Sequence, residues 1–312
     1  MAQPTLRDVH IDAALANISI AYRNEKYIAD LLFPIVPVDK KSDYYYKWTK
    51  DFWFRNHVDR RGPGAVYAEG GLALSTEQFS TVNKGLAFAI PDETVDNQDA
   101  AVDIETAGAE WLADQFQLDR EIALKTKIMD ASVWASSTTL SGITQWSDFE
   151  NSTPVDDVDT GRQTIKKATG LNPNVALMND EVFQKVRRHP NLLEMYKYTQ
   201  KGSLTQAQIA EVFQIEQIII GDAVRTTVDE GVTFSGSFIW DKNCILLYVA
   251  KRPGLLVASA GYTFVWRQNG FTIPIQRVRD ELRSRDVLKA DHAFDQKVTA
   301  NDCGYEIIDC VA

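Results

Sequence analysis

Only three of the 312 residues are cysteine, at 244, 303 and 310, and none stands at C-x-x-C spacing. An odd count without such a pair gives no disulfide framework, and reduced, buried thiols of an intracellular protein are expected. Histidine is equally scarce. The four (10, 57, 189 and 292) are scattered, with no second histidine at ligand spacing, so no metal centre is expected. No apolar run approaches the ~18 residues of a membrane span; the densest is Cys244 to Ala250. Met1 to Asp8 lack the charged-then-apolar plan of a signal peptide. Cations are outnumbered, 33 Lys and Arg against 43 Asp and Glu, for a net charge of −10. A general nucleic-acid binder needs phosphate-neutralising cations over much of its surface, so that class is excluded. The motifs G-x-x-x-x-G-K-[ST], G-x-G-x-x-G, G-x-S-x-G and H-E-x-x-H are all missing. Asp156-Asp157-Val158-Asp159 lacks the glycine and terminal glutamate of a calcium loop and reads as a solvated loop. No catalytic residue, cofactor site or metal ligand follows from these residues.

What the chain does have is a long amphipathic stretch, Asn97 to about Met129, free of proline and with Gly108 as its one glycine. Ile104, Trp111, Leu118 and Ile122 recur at helical spacing, and Leu112 and Phe116 widen the stripe. A helix of that length is expected to cross more than one layer of the fold. Between Gly85 and Asp119 stand nine acids and no Lys or Arg. The helix dipole favours acids only in the first turn, so it does not account for Glu110 to Asp119.

Upstream, residues 1 to 10 read as a polar tail and Ile11 to Leu32 as weakly helical. Pro34 and Pro37 then force extended backbone. Residues 42 to 90 read as a long hairpin. Tyr44-Tyr45-Tyr46-Lys47-Trp48 and Phe52-Trp53-Phe54 form one limb, Phe79 to Ile90 the other, with turn clusters at 60–64 and 69–71. Segment 39–64 holds seven bases against four acids, net +3. So aromatic a hairpin is not stable alone in water and must lie on something. Its mixture of bases and rings also suits single-strand stacking, but the alternation favours protein contact.

After the helix, Ser132 to Asp159 is polar, with Trp134 and Trp146, and a domain boundary is placed near it. An α/β pattern follows: a helix from Thr160 to Ala168 stopped by Gly170, a strand at Val175–Met178, and Asn179 capping a helix to Arg188. Then come a helix over 204–213 and strands at 217–221, 238–240, 245–249, 261–266, 273–277 and 296–299.

The succession from Pro173 onward resembles a known family. Pro173-Asn174-Val175-Ala176-Leu177-Met178-Asn179-Asp180-Glu181-Val182-Phe183 is followed by His189-Pro190. Leu204-Thr205, then Ile209 to Ile215, and Ile218-Ile219-Ile220-Gly221 come next, with Trp240, Leu246-Leu247-Tyr248, Gly261-Tyr262-Thr263-Phe264, Trp266 and Cys303-Gly304-Tyr305. This order resembles the major capsid proteins of tailed bacteriophages, whose fold is shared with herpesvirus capsids and encapsulin shells. Each motif is a packing pattern rather than a reactive site. The resemblance implies an α+β chain of the HK-ninety-seven-type capsid fold. It assigns an N-terminal arm at 1–38 and an extended loop at 39–91. A peripheral domain with a spine helix covers 92–150, an axial domain 151–260, and strands returning to the peripheral domain 261–312. It implies homo-hexamers and pentamers closing an icosahedral shell around double-stranded DNA, in a virion assembled in the host cytoplasm. Partners would be the chain itself, a separate scaffold, a portal and decoration proteins, with no sequence-specific DNA binding and no membrane. Covalent crosslinking between subunits is not expected.

On that reading the two charged segments meet. The basic hairpin (Lys47, Trp48, Lys50, Trp53, Arg55, Arg60, Arg61) would lie across the acidic helix region (Asp99, Asp103, Glu110, Asp114) of an adjacent subunit. Two rival classes stand beside it: an encapsulin-like compartment holding protein cargo, and a soluble α/β enzyme with an unrecognised site.

Overall fold

In the computed structural model the described residues are 24–48, 50–64, 66, 67, 69, 71, 74–97, 103–195, 203–229, 231–254, 257–267 and 273–312. The first half of the chain places α1 (Ala29–Leu32), β1 (Ile35–Val38), β2 (Ser42–Trp48), α2 (Lys50–Phe54), β3 (Leu74–Ser80), β4 (Val82–Pro91), α3 (Asp92–Asp96), α4 (Ile104–Ile128) and β5 (Ser137–Thr139). The second half adds helices α5 (Pro154–Thr169), α6 (Asp180–Val186), α7 (Pro190–Met195) and α8 (Gln206–Val212). Its strands are β6 (Val175–Asn179), β7 (Gln217–Gly221), β8 (Val224–Thr226), β9 (Gly236–Phe238), β10 (Cys244–Leu247), β11 (Gly261–Trp266), β12 (Ile275–Asp280), β13 (Arg285–Val298) and β14 (Gly304–Ile308).

The long helix is present but begins at Ile104, seven residues later than the apolar spacing predicts. Asp103 stops it from extending backward. Its side chain accepts the backbone N–H groups of Glu105 and Thr106 at 3.1 and 3.2 Å, an N-cap in extended conformation. Residues 98–102 lie outside the described ones. At 1.5 Å per residue, 25 residues still span about 37 Å, and the helix crosses two layers. Leu112 and Phe116 pack with Ile90, Leu288 and Ala290 of one sheet. Leu124 and Ile128 pack with Leu177, Ile245 and Leu247 of the other. Burial of each such side chain is worth about 1.5–3 kcal/mol. Trp111, read as part of the buried stripe, stays 40% exposed. Gly108 allows the close approach of α4 to β4, because a Cβ there would sit 2.5 Å from the Phe88 ring.

The first sheet runs β1-β11-β13-β12, with β4 on the other edge of β13. β13 was legible only as 296–299; it is 14 residues long, pairing Arg285–Ala290 with β12 and Arg285–Phe294 with β4. The second sheet runs β5-β14-β10-β6-β7. Two expectations change here. Residues 261–312 are expected to hold strands returning to the peripheral domain, yet β14, for which no strand is expected from the sequence, joins the second sheet antiparallel to β10. The supposed acidic loop Asp156–Asp159 is the opening of α5, which starts at Pro154. Proline has no N–H to satisfy at that position, and acids suit the dipole there. Gly170 ends α5 in the left-handed region at φ 73°, as its sequence position implied. Asn179 caps α6 by accepting from the Val182 N–H at 2.8 Å.

The segment read as an arm through residue 38 is, from Asn24 onward, part of the core. Ile28, Leu32 and Phe33 are buried among Leu124, Ile128, Trp240 and Leu247, and β1 pairs in parallel with β11. Residues 1–23 lie outside the described ones.

Candidate subunit interface

Alternation in β2 divides its three tyrosines between two environments. Tyr45 turns inward onto Phe264 at 5.7 Å between ring centres, and Phe79 of β3 stacks on the same ring at 4.6 Å. Tyr44 and Tyr46 point outward, 64% and 60% exposed. The two strands pair from Ser42↔Ser80 to Trp48↔Leu74. Glu77 secures the inner face, accepting the Tyr45 hydroxyl at 2.5 Å and the Lys47 ammonium at 2.8 Å. The Lys47 bond, then the Tyr45 bond, holds the Glu77 carboxyl below its usual range. The hairpin base is therefore rigid and attached to its own chain.

Beyond Trp48 the strand does not continue. Lys50–Phe54 is a short helix where a β-rich limb was expected. From Trp53 outward every described residue as far as Gly71 is exposed, including Phe54, Val58, Val66 and Tyr67. Val58 and Val66 retain 86% and 87% of their accessible surface. Arg61 covers the Tyr67 ring at 4.0 Å. Exposed aromatic and aliphatic side chains gathered along one segment, interleaved with Arg55, Arg60 and Arg61, suit an interaction surface.

The sequence-predicted contact residues separate into groups. Arg55 and Arg60 lie on the exposed segment, with Trp53 and Arg61. Lys47 and Lys50 sit at its root and are engaged within the chain, Lys47 by Glu77 and Lys50 by Asp302, each at 2.8 Å. Trp48 is the last residue of β2. On the acidic side, Asp99 lies outside the described residues. Asp103 is the α4 cap, and Asp114 accepts the Tyr27 hydroxyl at 3.1 Å. Glu110 is on the exposed face of α4.

The run of nine acids without a base is answered from elsewhere in the chain. Arg279 grips Asp92 at 2.5 and 2.6 Å, Arg277 reaches Glu105 at 2.8 Å, and Lys84 reaches Asp119 at 2.7 Å. The Arg279 bond depresses the Asp92 carboxyl. Arg277 and Arg279 come from β12, distant in sequence, and Lys84 stands 35 residues from Asp119 at the near edge of the run, so the local charge count could not reveal these pairings.

Among the described residues, the arrangement that resembles reactive chemistry is wired for structure. His189 and Ser152 are both buried, with Nε2 and Oγ 2.9 Å apart. His189 Nδ1 accepts the Asn191 backbone N–H at 3.3 Å, so the ring proton resides on Nε2 and is donated to Ser152. Ser152 in turn donates to the Asp148 carbonyl at 2.5 Å. The imidazole therefore has no lone pair aimed at the hydroxyl and cannot act as its base. Burial also lowers the His189 pKa, keeping the ring neutral. Among the described residues no group of three or more His, Cys, Asp or Glu is placed to hold a metal ion. No helix among them is long and apolar enough to cross a membrane.

Residues 133–260 match the family model described as phage major capsid protein E. Over 306 residues the chain is 25% identical to the major capsid protein of Burkholderia phage BcepMu, covering 95% of each chain. A phage-related protein from Bordetella bronchiseptica has a similar structure, with a TM-score of 0.72 at 22% identity over 93% of this chain and 94% of that one. The capsid structure of cyanophage P-SCSP1u is similar too, with a TM-score of 0.68 at 9% identity over 97% and 93%. At these identities the structural likeness is one of fold.

Proposed function

We infer that this chain is a phage major capsid protein with the tailed-phage capsid fold, a shell-building protein and not an enzyme. A subunit of a closed shell must present surfaces that other copies cover. The observation that carries this reading here is the exposed segment 53–67, borne on a hairpin whose base is fixed to its own chain. Obligate contacts between subunits bury some 2,000–5,000 Å² or more, and a cantilevered loop of aromatic and aliphatic side chains provides such area.

In the proposed assembly, hexamers and pentamers formed by head-to-tail contacts close an icosahedral shell. Segment 53–67 of one subunit lies across the α4 region of the next. Arg55, Arg60 and Arg61 face acids that include Glu110 and Asp114, while Lys47 and Lys50 hold the loop's own root. Exposed ion pairs of this kind contribute about 0.5 kcal/mol each, so they set register while apolar burial provides strength. The net charge of −10 suits a wall that stands close to double-stranded DNA without adhering to it. A separate scaffold, a portal and decoration proteins are the further partners such a shell would take, with assembly in the host cytoplasm and residence in the virion.

The test is Arg55→Glu combined with Arg60→Glu, read by sedimentation and negative-stain microscopy. The double variant should remain folded, with an unchanged melting curve, and form no particles. Normal shells from it would remove the charge-register reading; a wild-type protein that stays a small oligomer under all conditions would remove the shell itself.

A further inference from the structure

Residues 24–33 cross several parts of the molecule, and the bonds that hold residues 27–30 converge on one helix. Asn24 exchanges two hydrogen bonds with the Val224 backbone, at 3.0 and 2.8 Å. The Tyr27 hydroxyl donates to Asp114 at 3.1 Å. Asp30 pairs with Arg120. Between these contacts stands Glu121, fully buried on α4. One carboxylate oxygen accepts the backbone N–H groups of Ile28 and Ala29, at 3.0 and 2.8 Å. The other accepts the Trp240 indole N–H at 2.6 Å.

This arrangement has a local cause. α1 is four residues long and its N-cap is Ile28, an apolar side chain that cannot accept a hydrogen bond. The orphan N–H groups at its start need an acceptor from elsewhere, and Glu121 provides it from 92 residues away. Among the described residues no cation pairs with the carboxylate, and the adjacent Arg120 is turned to Asp30. Three N–H donors hold it instead, and they belong to two different parts of the fold. Trp240 follows β9 and packs over Gly221 at the end of β7, so the indole reports on the second sheet.

We propose that residues 24–33 form a strap, latched by the Glu121 carboxylate, that opens as one unit and so uncouples the N-terminal segment from both the long helix and the second sheet. Glu121 is a positioning residue in this device: it joins strap, helix and Trp240 through one side chain. Opening breaks the Ile28 and Ala29 bonds, opens the Glu121–Trp240 bond to solvent and uncovers Leu124 and Ile128. A force or a binding partner acting on residues 24–33 would thereby reach the joint between the two sheets. The inference rests on the single chain and does not depend on shell formation.

Site-resolved hydrogen exchange on the full chain tests it. In the wild-type protein, the amides of Ile28, Ala29 and Leu32 should exchange together through a partial opening that leaves β6 and β10 protected. Glu121→Gln keeps the side-chain size but turns an NH2 group toward N–H donors. It should speed exchange of those strap amides by about tenfold, the equivalent of one lost hydrogen bond, with β6 and β10 unchanged and Trp240 emission shifted to the red. Lys125→Ala, which removes the neighbouring Lys125–Asp241 pair one turn along the same helix, should leave the strap amides unchanged. The proposal is overturned if the wild-type strap exchanges only with global unfolding, if Glu121→Gln leaves its amides unchanged, or if Lys125→Ala loosens them equally. If Glu121→Gln does not fold, the wild-type experiment still decides.

Discussion

At position 292 a histidine lies fully buried on β13, between Phe116 and Phe294 at 6.4 and 5.3 Å. Burial, and then the nearby Arg120 charge, push its pKa down to about 4 from an ordinary 6.5. The unfolded chain takes up a proton that the folded chain refuses. The stability this contributes is whole above about pH 6.5 and is lost as pH falls through 4, on the order of 3 kcal/mol across that window. Denaturant midpoints at pH 7.5 and 4.5 check it: His292→Leu should lose clearly less stability on acidification than the wild type. The cysteines make a second residue-scale case. Burial pushes the Cys244 and Cys303 thiols up to about 12 and raises Cys310 well above its usual value. Thiolate is the reactive form, so alkylation at pH 8 should wait for unfolding; fast labelling of native protein would contradict that. The sequence signalled the thiols through their odd number and spacing. It gave no sign of His292 or Glu121, because a buried polar residue looks in sequence like a surface one.

Among the elements, α4 shows propensity and packing in opposition. Gly108→Ala should gain up to about 1 kcal/mol of helix propensity. The new methyl would meet the Phe88 ring at 2.5 Å, and overpacking costs typically about 1–3 kcal/mol. Packing is expected to win, lowering the melting temperature, because neither α4 nor β4 can move without disturbing the shared sheet. The hairpin poses the opposite case, an element whose outer portion contributes little to its own chain's stability. Val58 is 86% exposed, so Val58→Asp should change subunit stability by less than about 0.5 kcal/mol and yet abolish particle formation. The existence of these elements was legible from period and turn residues. Their limits were not: Asp103 moved the start of α4 by capping it, and Pro154 moved the start of α5. A helix replaced the outer part of the first aromatic limb at 50–54.

For the whole molecule, segment 24–38 joins α4 in touching both sheets, pairing β1 with β11 and burying Ile28, Leu32 and Phe33 against Trp240 and Leu247. A chain beginning at residue 39 would lack Ile28, Leu32, Phe33 and β1, leaving Trp240 and the β11 edge uncovered. It is expected to bind hydrophobic dyes and lose cooperative unfolding; a sharp thermal transition would show that the two sheets cohere without the strap. The sequence by itself determined the long helix, the aromatic limb at 44–48, the α/β grammar after residue 159 and the absence of recognisable catalytic motifs. Each of these follows from local period, caps and residue chemistry. The limb expected to return over Phe79–Ile90 is instead β3, and Val82–Pro91 pairs with β13 in the first sheet. Only the tertiary structure decided that most of β13 was strand, that β14 crosses to the second sheet, and that Arg277, Arg279 and Lys84 answer the acidic run. It also decided that a carboxylate on α4 caps a helix 92 residues away. Those outcomes depend on which surfaces meet, and pairing between distant segments leaves no periodic trace in either one.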